Sequence, residues 1–189
     1  NPYLSFTRAM ELLVASRDRL EPGIHPSAVV SSQARISDQA TIMANVVVEA
    51  EVVVEDRAVI YPGVIIGKGS KILQDVLIYP NASISAGSFI GERVIIHSGV
   101  ILGSRSQESA MDSPMPGVEI GADVELGANT TIVAGVRRPT RIKRGTKVDN
   151  LVHIDHDVEI GEDAVIVAMV TIEPEASIGQ EVTLTGQVG

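Results

Sequence analysis

The chain contains no cysteine and no tryptophan, and only 3% of its residues are aromatic. The absence of cysteine excludes disulfides, thiolate metal ligands and a cysteine nucleophile, and it is compatible with a reducing compartment. A net charge of −9 and few aromatic rings remove the phosphate-neutralising charge and the stacking surfaces that nucleic-acid binding requires. We therefore expect no nucleic-acid partner.

Long hydrophobic runs are also absent. The mean hydropathy is positive, +0.23. However, no apolar run approaches the ~18 residues that a membrane-spanning helix needs. We predict no transmembrane segment, because the hydrophobic residues are distributed by a repeat.

Residues 1–21 predict a short N-terminal linker helix. Asn1 is a good N-cap, and Pro2 stands at the first helical position, where its missing N–H costs nothing. Apolar residues then recur at helical spacing as far as Leu13. Pro22 and Gly23 end the pattern.

From residue 22 onward, branched aliphatic residues recur at every sixth position, which neither a strand nor a helix explains. They form three series: Ile24, Val30, Ile36, Ile42, Val48, Val54, Ile60, Ile66, Ile72, Ile78, Ile84, Ile90, Ile96 and Leu102; then Ile120, Leu126 and Ile132; then Ile142, Val148, Ile154, Ile160, Ile166, Ile172, Ile178 and Leu184.

This period predicts that residues 22–189 form one triangular all-β solenoid. Each hexapeptide would supply a short strand and a corner, three would make a coil, and the aliphatic side chain would fill the interior. Glycine directly after an aliphatic, as at Gly161, is expected to suit the tight corner. The flat sides and open ends of such a stack favour self-association.

Two excursions interrupt the repeat, at residues 103–119 and 133–141. If each extends the repeat before it, then Leu102, Ile132 and Ile154 lie three repeats apart and stack on one face. Both loops and His156 would then share one side of the prism, where loops held by a rigid scaffold can form a site.

His156 is the strongest candidate for chemistry. It lies two residues after an interior aliphatic, with Asp149, Asp155 and Asp157 nearby in sequence. A neighbouring carboxylate raises the pKa of a histidine and fixes its tautomer, which suits a general base. On spacing alone, a surface histidine in an acidic neighbourhood is an equal alternative.

Residues 148–157 and 124–132 closely resemble segments of the UDP-3-O-acylglucosamine N-acyltransferases of lipid A biosynthesis, a hexapeptide-repeat acyltransferase family. Residues 1–4 resemble the linker helix of that family, and residues 23–29 resemble its first coil. The family's N-terminal uridine-binding domain and its C-terminal helices have no counterpart in these residues.

The resemblance implies a left-handed parallel β-helix, a homotrimer and a cytoplasmic enzyme. It implies that His156 deprotonates the 2-amine of a UDP-linked glucosamine. The amine would then attack a 3-hydroxyacyl thioester on the phosphopantetheine of acyl carrier protein, with no cofactor of the enzyme's own. By the same resemblance, Asp149, Asn150, Asp157 and His153 are predicted to contact substrate.

A basic run follows the second excursion. Arg137, Arg138, Arg141 and Lys143 are either a solvated face or a landing site for the phosphopantetheine phosphate or the acidic carrier protein. The sequence leaves both alternatives open.

Three other functions remain open. One is a zinc lyase similar to the γ-class carbonic anhydrases, which hold the metal between subunits. The scaffold would also suit an acetyl-CoA-dependent sugar acetyltransferase. Asp155 and Asp157 stand where the family has alanine and asparagine, which favours a third hypothesis, a non-catalytic trimeric β-helix platform. We expect no metal site within one chain.

Overall fold

Residues 20–105 and 117–187 are described by a computed structural model of the chain. In these ranges every element is a short β-strand, and strands three apart in sequence pair in parallel. The result is a parallel β-solenoid of about eight turns with three sheets as its sides. The prediction of an all-β solenoid is confirmed.

The three sheets contain nine, eight and eight strands. Sheet A comprises β1 (Gly23–Ile24), β4 (Thr41–Ile42), β7 (Val59–Ile60), β10 (Leu77–Ile78), β13 (Ile95–Ile96), β16 (Glu125–Leu126), β19 (Lys147–Val148), β22 (Val165–Ile166) and β25 (Thr183–Leu184). Sheet B comprises β2 (Val29–Val30), β5 (Val47–Val48), β8 (Ile65–Ile66), β11 (Ser83–Ile84), β14 (Ile101–Ser104), β17 (Thr131–Val133), β20 (His153–Ile154) and β23 (Thr171–Ile172). Sheet C comprises β3 (Arg35–Ile36), β6 (Val53–Val54), β9 (Lys71–Ile72), β12 (Phe89–Ile90), β15 (Val118–Ile120), β18 (Thr140–Ile142), β21 (Glu159–Ile160) and β24 (Ser177–Ile178).

The register places each interior aliphatic over the one in the next coil. Ile78 pairs with Ile60 on one side and with Ile96 on the other, and all three are fully buried. Full burial of such a side chain contributes roughly 1.5–3 kcal/mol. The stack therefore both stabilises the solenoid and fixes which residues face outward.

The tight turn of each corner lies at a different position of the hexapeptide from the one that the sequence predicted. The left-handed backbone conformation occurs three residues after the interior aliphatic, at Asn45, Asp75 and Asp157 among others. Glycines directly after an aliphatic have a different role. A Cβ on Gly161 would stand 2.5 Å from the backbone nitrogen of Gln180 in the next coil.

The predicted stacking of the two excursions with His156 is confirmed. Leu102 pairs with Ile132, and Ile132 pairs with Ile154, all in sheet B. The flanking strands extend further into both excursions than the sequence suggested, to Ser104 and Val133. A bridge between Gly117 and Gly135 joins the two excursions at their bases.

The predicted helix over residues 1–21 lies almost entirely outside the described residues, as does much of the first excursion. Within the described ranges, no helix is long and apolar enough to cross a membrane.

Glycine at the close approach between coils gives a first prediction. Gly161→Ala should lower the free energy of unfolding by about 1–3 kcal/mol, because its Cβ would overlap the next coil. Gly179→Ala is the matched control: it occupies the same place one coil on, and its Cβ would lie 3.6 Å from Val182. Urea unfolding of both variants measures this, and an equal loss at both positions would contradict the close-approach explanation.

Candidate functional site

His156 lies in the turn that follows β20, at the corner between sheets B and C. Its ring is almost completely buried, with 3% of the side chain exposed. Its backbone N–H donates to Asp155 Oδ1 at 2.7 Å, and Nδ1 lies 3.3 Å from Asp157 Oδ2. We call the turn formed by residues 155–158, together with the second excursion above it, the His156 corner.

Asp157 connects this turn to the second excursion. Its Oδ1 accepts the backbone N–H groups of Val136, Arg137 and Arg138 at 2.9, 3.0 and 3.0 Å. Its own N–H donates to Thr140 Oγ1 at 3.1 Å, and its left-handed φ of 60° turns the carboxylate toward the loop. Successive N–H groups that converge on one oxygen form an anion-binding nest.

The carboxylate of Asp157 is held in its ionised form. Burial by itself would raise the pKa of Asp157, but the N–H donors of Arg138, Arg137 and Val136 and the His156 ring lower it, and the net shift is downward. An ionised carboxylate only accepts hydrogen bonds, so the Nδ1 proton of His156 points to Asp157. In the neutral imidazole, Nε2 then carries the lone pair of a general base.

Glu175 was not identified from the sequence, although it contacts the His156 corner from the next coil. Its N–H donates to the His156 carbonyl at 3.0 Å, and its carboxylate forms an ion pair with Arg137. The repeat could have predicted this proximity, because Glu175 follows Asp157 by eighteen residues, which is one full coil. The anchoring role of Thr140 was missed as well.

His153 faces outward on β20, and Asp155 follows that strand in the turn of the His156 corner. The side chain of His153 is 43% exposed, and its Nε2 lies 3.9 Å from Asp155 Oδ2. Contact between His153 and a substrate stays a prediction. Contact between Asp157 and a substrate does not fit this structure, because only 1% of the residue is exposed and its carboxylate is occupied by the loop.

Asp149 and Asn150 lie in the preceding corner, between sheets A and B, and the structure does not bring them to His156 within one chain. An extended residue covers ~3.3 Å, so the strand between the corners separates them widely. Asn150 Oδ1 accepts the N–H of Ala128 at 2.7 Å, and Asp149 Oδ1 accepts that of Asn150. The expectation that Asp149 orients His156 is wrong. Asp149 and Asn150 instead line a groove of about 410 Å³.

The basic run is largely paired with acidic groups. Only the first two of the predicted donor-binding residues lie at the His156 corner, where the Arg138 guanidinium donates to the Asp157 carbonyl at 2.8 Å. Carboxylates pair with the others: Arg141 with Glu119 at 2.6 Å and Lys143 with Glu159 at 2.6 Å. These pairs favour the solvated-face reading for Arg141 and Lys143.

Charge pairing also shifts the pKa values in this run. A hydrogen bond from Lys143 lowers the pKa of Glu159, and one to Glu119 raises the pKa of Arg141. Within the described ranges, no group of three or more histidine or acidic side chains could hold a metal ion.

A segment that includes the turn with His156 and Asp157 matches a known family model. Residues 139–174 match the model described as bacterial transferase hexapeptide (six repeats). This segment is therefore similar to the hexapeptide repeats of bacterial transferases. The match includes His156, Asp157 and strand β23, and it ends one residue before Glu175. It covers a minority of the whole chain.

Solved structures extend the likeness along the hexapeptide solenoid. A variant of perosamine N-acetyltransferase from Caulobacter crescentus, in complex with CoA and GDP-perosamine, is 27% identical with a TM-score of 0.55, covering 67% of this chain and 51% of its own. UDP-N-acetylglucosamine acyltransferase from Campylobacter jejuni is 22% identical with a TM-score of 0.54, covering 88% and 68%. The Arabidopsis UDP-N-acetylglucosamine acyltransferase is 16% identical with a TM-score of 0.57, covering 87% and 60%.

The two acyltransferases resemble this chain in fold alone, given their low identity. The chain spans about half the length of the perosamine enzyme. A comparison with curated protein sequences finds no match.

The Asp157 nest gives a second prediction. Asp157→Gly keeps the left-handed turn but leaves three N–H groups without their acceptor, so it should cost about 2–3 kcal/mol of unfolding free energy at pH 7. The control Asp163→Gly removes a carboxylate with a similar φ of 53°. Its nearest cation, Arg144, lies 3.9 Å away at the exposed surface. That variant should lose under about 0.5 kcal/mol.

The effect should depend on pH with a defined sign. Because folding lowers the pKa of Asp157, its contribution is complete above the unfolded value of about 3.9 and is lost as the pH falls through the folded value. The difference between the parent and Asp157→Gly, from urea unfolding at several pH values, should therefore shrink only in acid. A difference that stays constant down to the lowest pH would contradict the assignment.

Proposed function

We propose that this chain is the β-helix of an acyltransferase that uses His156 as its general base. The observation that carries the proposal is the buried His156–Asp157 pair at the one corner where both excursions leave the solenoid. A rigid, water-poor site with an oriented imidazole is what proton abstraction from an amine requires. The match of residues 139–174 to transferase hexapeptides supports the same reaction class.

The reaction we propose transfers a 3-hydroxyacyl chain to the 2-amine of a UDP-3-O-acylglucosamine. The amine nitrogen attacks the thioester carbonyl, and His156 Nε2 takes the proton that the nitrogen loses. Collapse of the tetrahedral intermediate forms the amide and releases the thiolate, which receives the proton from the imidazolium. Asp157 stabilises that imidazolium through Nδ1, while remaining ionised itself.

The remaining parts of the proposal rest on the resemblance of residues 124–132 and 148–157 to the lipid A enzymes. They are a left-handed winding, a homotrimer, acyl carrier protein as donor and a cytoplasmic location. In a trimer, the groove beside Asp149 and Asn150 is available to a neighbouring copy. Substrate contacts by these two residues and by His153, and donor contacts by Arg137 and Arg138, belong to this proposal.

A second candidate is an acetyl-CoA-dependent acetyltransferase acting on a nucleotide-linked amino sugar. The specific observation in its favour is the 27% identity to perosamine N-acetyltransferase, whose structure contains CoA and GDP-perosamine. The proposed proton transfers at His156 would be the same. The two candidates differ in the donor and in the sugar.

His156→Ala tests the proposed base. With the full chain and a UDP-linked amino sugar, we expect turnover to fall about 10²–10⁴-fold, the usual contribution of a positioned base. His25→Ala is the control, because His25 is exposed in the first coil and hydrogen-bonds Ser27 at 2.9 Å. Mass spectrometry of products from 3-hydroxyacyl carrier protein and from acetyl-CoA identifies the donor. Equal turnover by both variants would favour the non-catalytic platform.

Asp157→Asn tests the tautomer separately from the fold. The new amide oxygen can still accept the three loop N–H groups, but its NH₂ would face His156 Nδ1 and donate to it. The imidazole would then carry its proton on Nε2, and kcat should fall about 10²–10⁴-fold. The free energy of unfolding should fall less than in Asp157→Gly, because the loop N–H groups keep an acceptor and lose only its charge. Asp38→Asn, at an exposed carboxylate, is the control. Unchanged kcat in Asp157→Asn would show that Asp157 does not set the tautomer.

A further inference from the structure

A row of stacked rings runs along the corner between sheets A and B. It is formed by the residues that directly follow three interior aliphatics of sheet A in successive coils, Tyr61, Tyr79 and His97. The ring centroids lie 5.0 Å apart between the two tyrosines and 5.3 Å apart between Tyr79 and His97, with interplanar angles of 15° and 3°. Stacked rings stabilise one another, so the row by itself is explained as part of the scaffold.

The row ends at His97, because the next coil places Gly127 after its interior aliphatic Leu126. The fold enforces this gap, since a Cβ on Gly127 would overlap the carbonyl carbon of Asp149 in the coil beyond. Tyr79 lies in the preceding coil, and its ring is parallel to that of His97. The opposite face of the His97 ring is therefore turned toward the coil that has no ring.

The groove of about 410 Å³ begins at this gap. Its lining includes His97 at one end, Gly127 in the middle, and Asp149 and Val167 in the coils beyond. The His97 ring is held at its edge, where Nε2 lies 2.8 Å from Glu125 Oε1, and 39% of its side chain remains exposed. The end of the row is therefore an oriented, accessible platform beside a groove.

The shape and the polar groups of the groove indicate the class of ligand. Neighbouring coils are ~4.8 Å apart, close to the centroid separations within the row, so a planar ring over Gly127 would continue it. Asp149 is exposed in the coil beyond, and an ionised carboxylate only accepts hydrogen bonds. A ring with N–H donors on its edge therefore fits better than a hydrocarbon ring. Nucleobases combine a stacking face with such an edge.

We propose that this groove is a nucleobase site, in which the base stacks on His97 over Gly127 and donates an edge N–H to the Asp149 carboxylate. The inference rests on the proposed function only in taking the ligand to be a nucleotide substrate. In that proposal the acceptor is a nucleotide sugar, and acetyl-CoA, the alternative donor, carries an adenine. One platform holds one base, whereas nucleic-acid binding uses several.

NMR of the histidine ring protons tests the site without any assay of acyl transfer. The ring current of a stacked base shifts the protons of the ring beneath it upfield, and the chain has four histidines, which single variants assign. Uridine, adenosine and guanosine isolate the base from phosphate. At least one of them should shift His97 saturably, while His25, at the start of the same row, stays in place. If none shifts His97 more than His25, the site is refuted.

His97→Ala and Tyr61→Ala form a matched pair. Both remove one ring from the same row, but of the two only His97 lines the groove. His97→Ala should raise the Kd of the preferred nucleoside about 5- to 100-fold, the usual effect of losing one stacking partner, and Tyr61→Ala should change it less than about twofold. His97→Phe should bind like the parent, because it keeps the stacking face. Equal losses in the two alanine variants would overturn the platform.

N-methylated nucleosides test the contact with Asp149. Methylation that removes the edge donor of the preferred base should raise its Kd about fivefold or more in the parent, because the carboxylate loses its partner. The same methylation should have no such effect in Asp149→Ala, since the two changes remove one interaction. An equal effect in both proteins would show that Asp149 is not the acceptor.

The outcomes separate this proposal from the proposed function. If nucleosides bind at His97 but His156→Ala leaves turnover unchanged, the base site stands and the acyltransferase assignment fails. If turnover depends on His156 but nucleosides leave His97 unshifted, the acyltransferase assignment stands and the base site fails. Comparison of UDP and GDP with CoA then shows whether the base belongs to the acceptor or to the donor.

Discussion

The coil-to-coil register of the interior aliphatic stack is the constraint on which the rest of this structure depends. Each interior position repeats every eighteen residues in an uninterrupted coil, as Ile60, Ile78 and Ile96 show in sheet A. The outward positions repeat in step with them. Slipping a parallel strand by one residue would turn every interior side chain to solvent. Extra residues can therefore be accommodated only outside the prism, and both excursions leave it at the corner after sheet B.

An inserted loop lacks the backbone hydrogen-bond partners that a neighbouring coil would provide. The second excursion finds other partners, and these contacts form the candidate site. Val136, Arg137 and Arg138 no longer face a strand, so their N–H groups converge on the Asp157 carboxylate in the coil below. Because these bonds are only part-buried, loss of their common acceptor would cost about 2–3 kcal/mol in total. The residue that secures the loop also holds the neighbouring imidazole, so stability and orientation of the proposed base have one cause.

A solenoid can be predicted from its sequence because the period of the sequence repeat equals the number of residues in each repeated structural unit. Counting hexapeptides was enough to predict the solenoid and to stack Leu102, Ile132 and Ile154. Closeness in sequence was a poor guide to closeness in space. Asp149 is only seven residues before His156, but the repeat places the two residues at opposite ends of strand β20, in different corners of the prism. Contacts of the irregular loop, such as the Asp157 nest, depend on loop backbone geometry that no period encodes.

Arg137 makes two contacts of different strength at the His156 corner. Its backbone belongs to the buried nest, where removal of the Asp157 acceptor is costly, while its side chain belongs to an exposed pair of small net energy. These two contacts are separated by the flexible stem of the arginine, so the guanidinium can change partner without moving the loop. Since Glu175 occupies the same corner position as Asp157 one coil later, the repeat itself supplies the carboxylate that pairs with Arg137. The solenoid thus holds the proposed base through the Asp157 carboxylate in its own coil, while Glu175 in the next coil contacts both the His156 carbonyl and the loop.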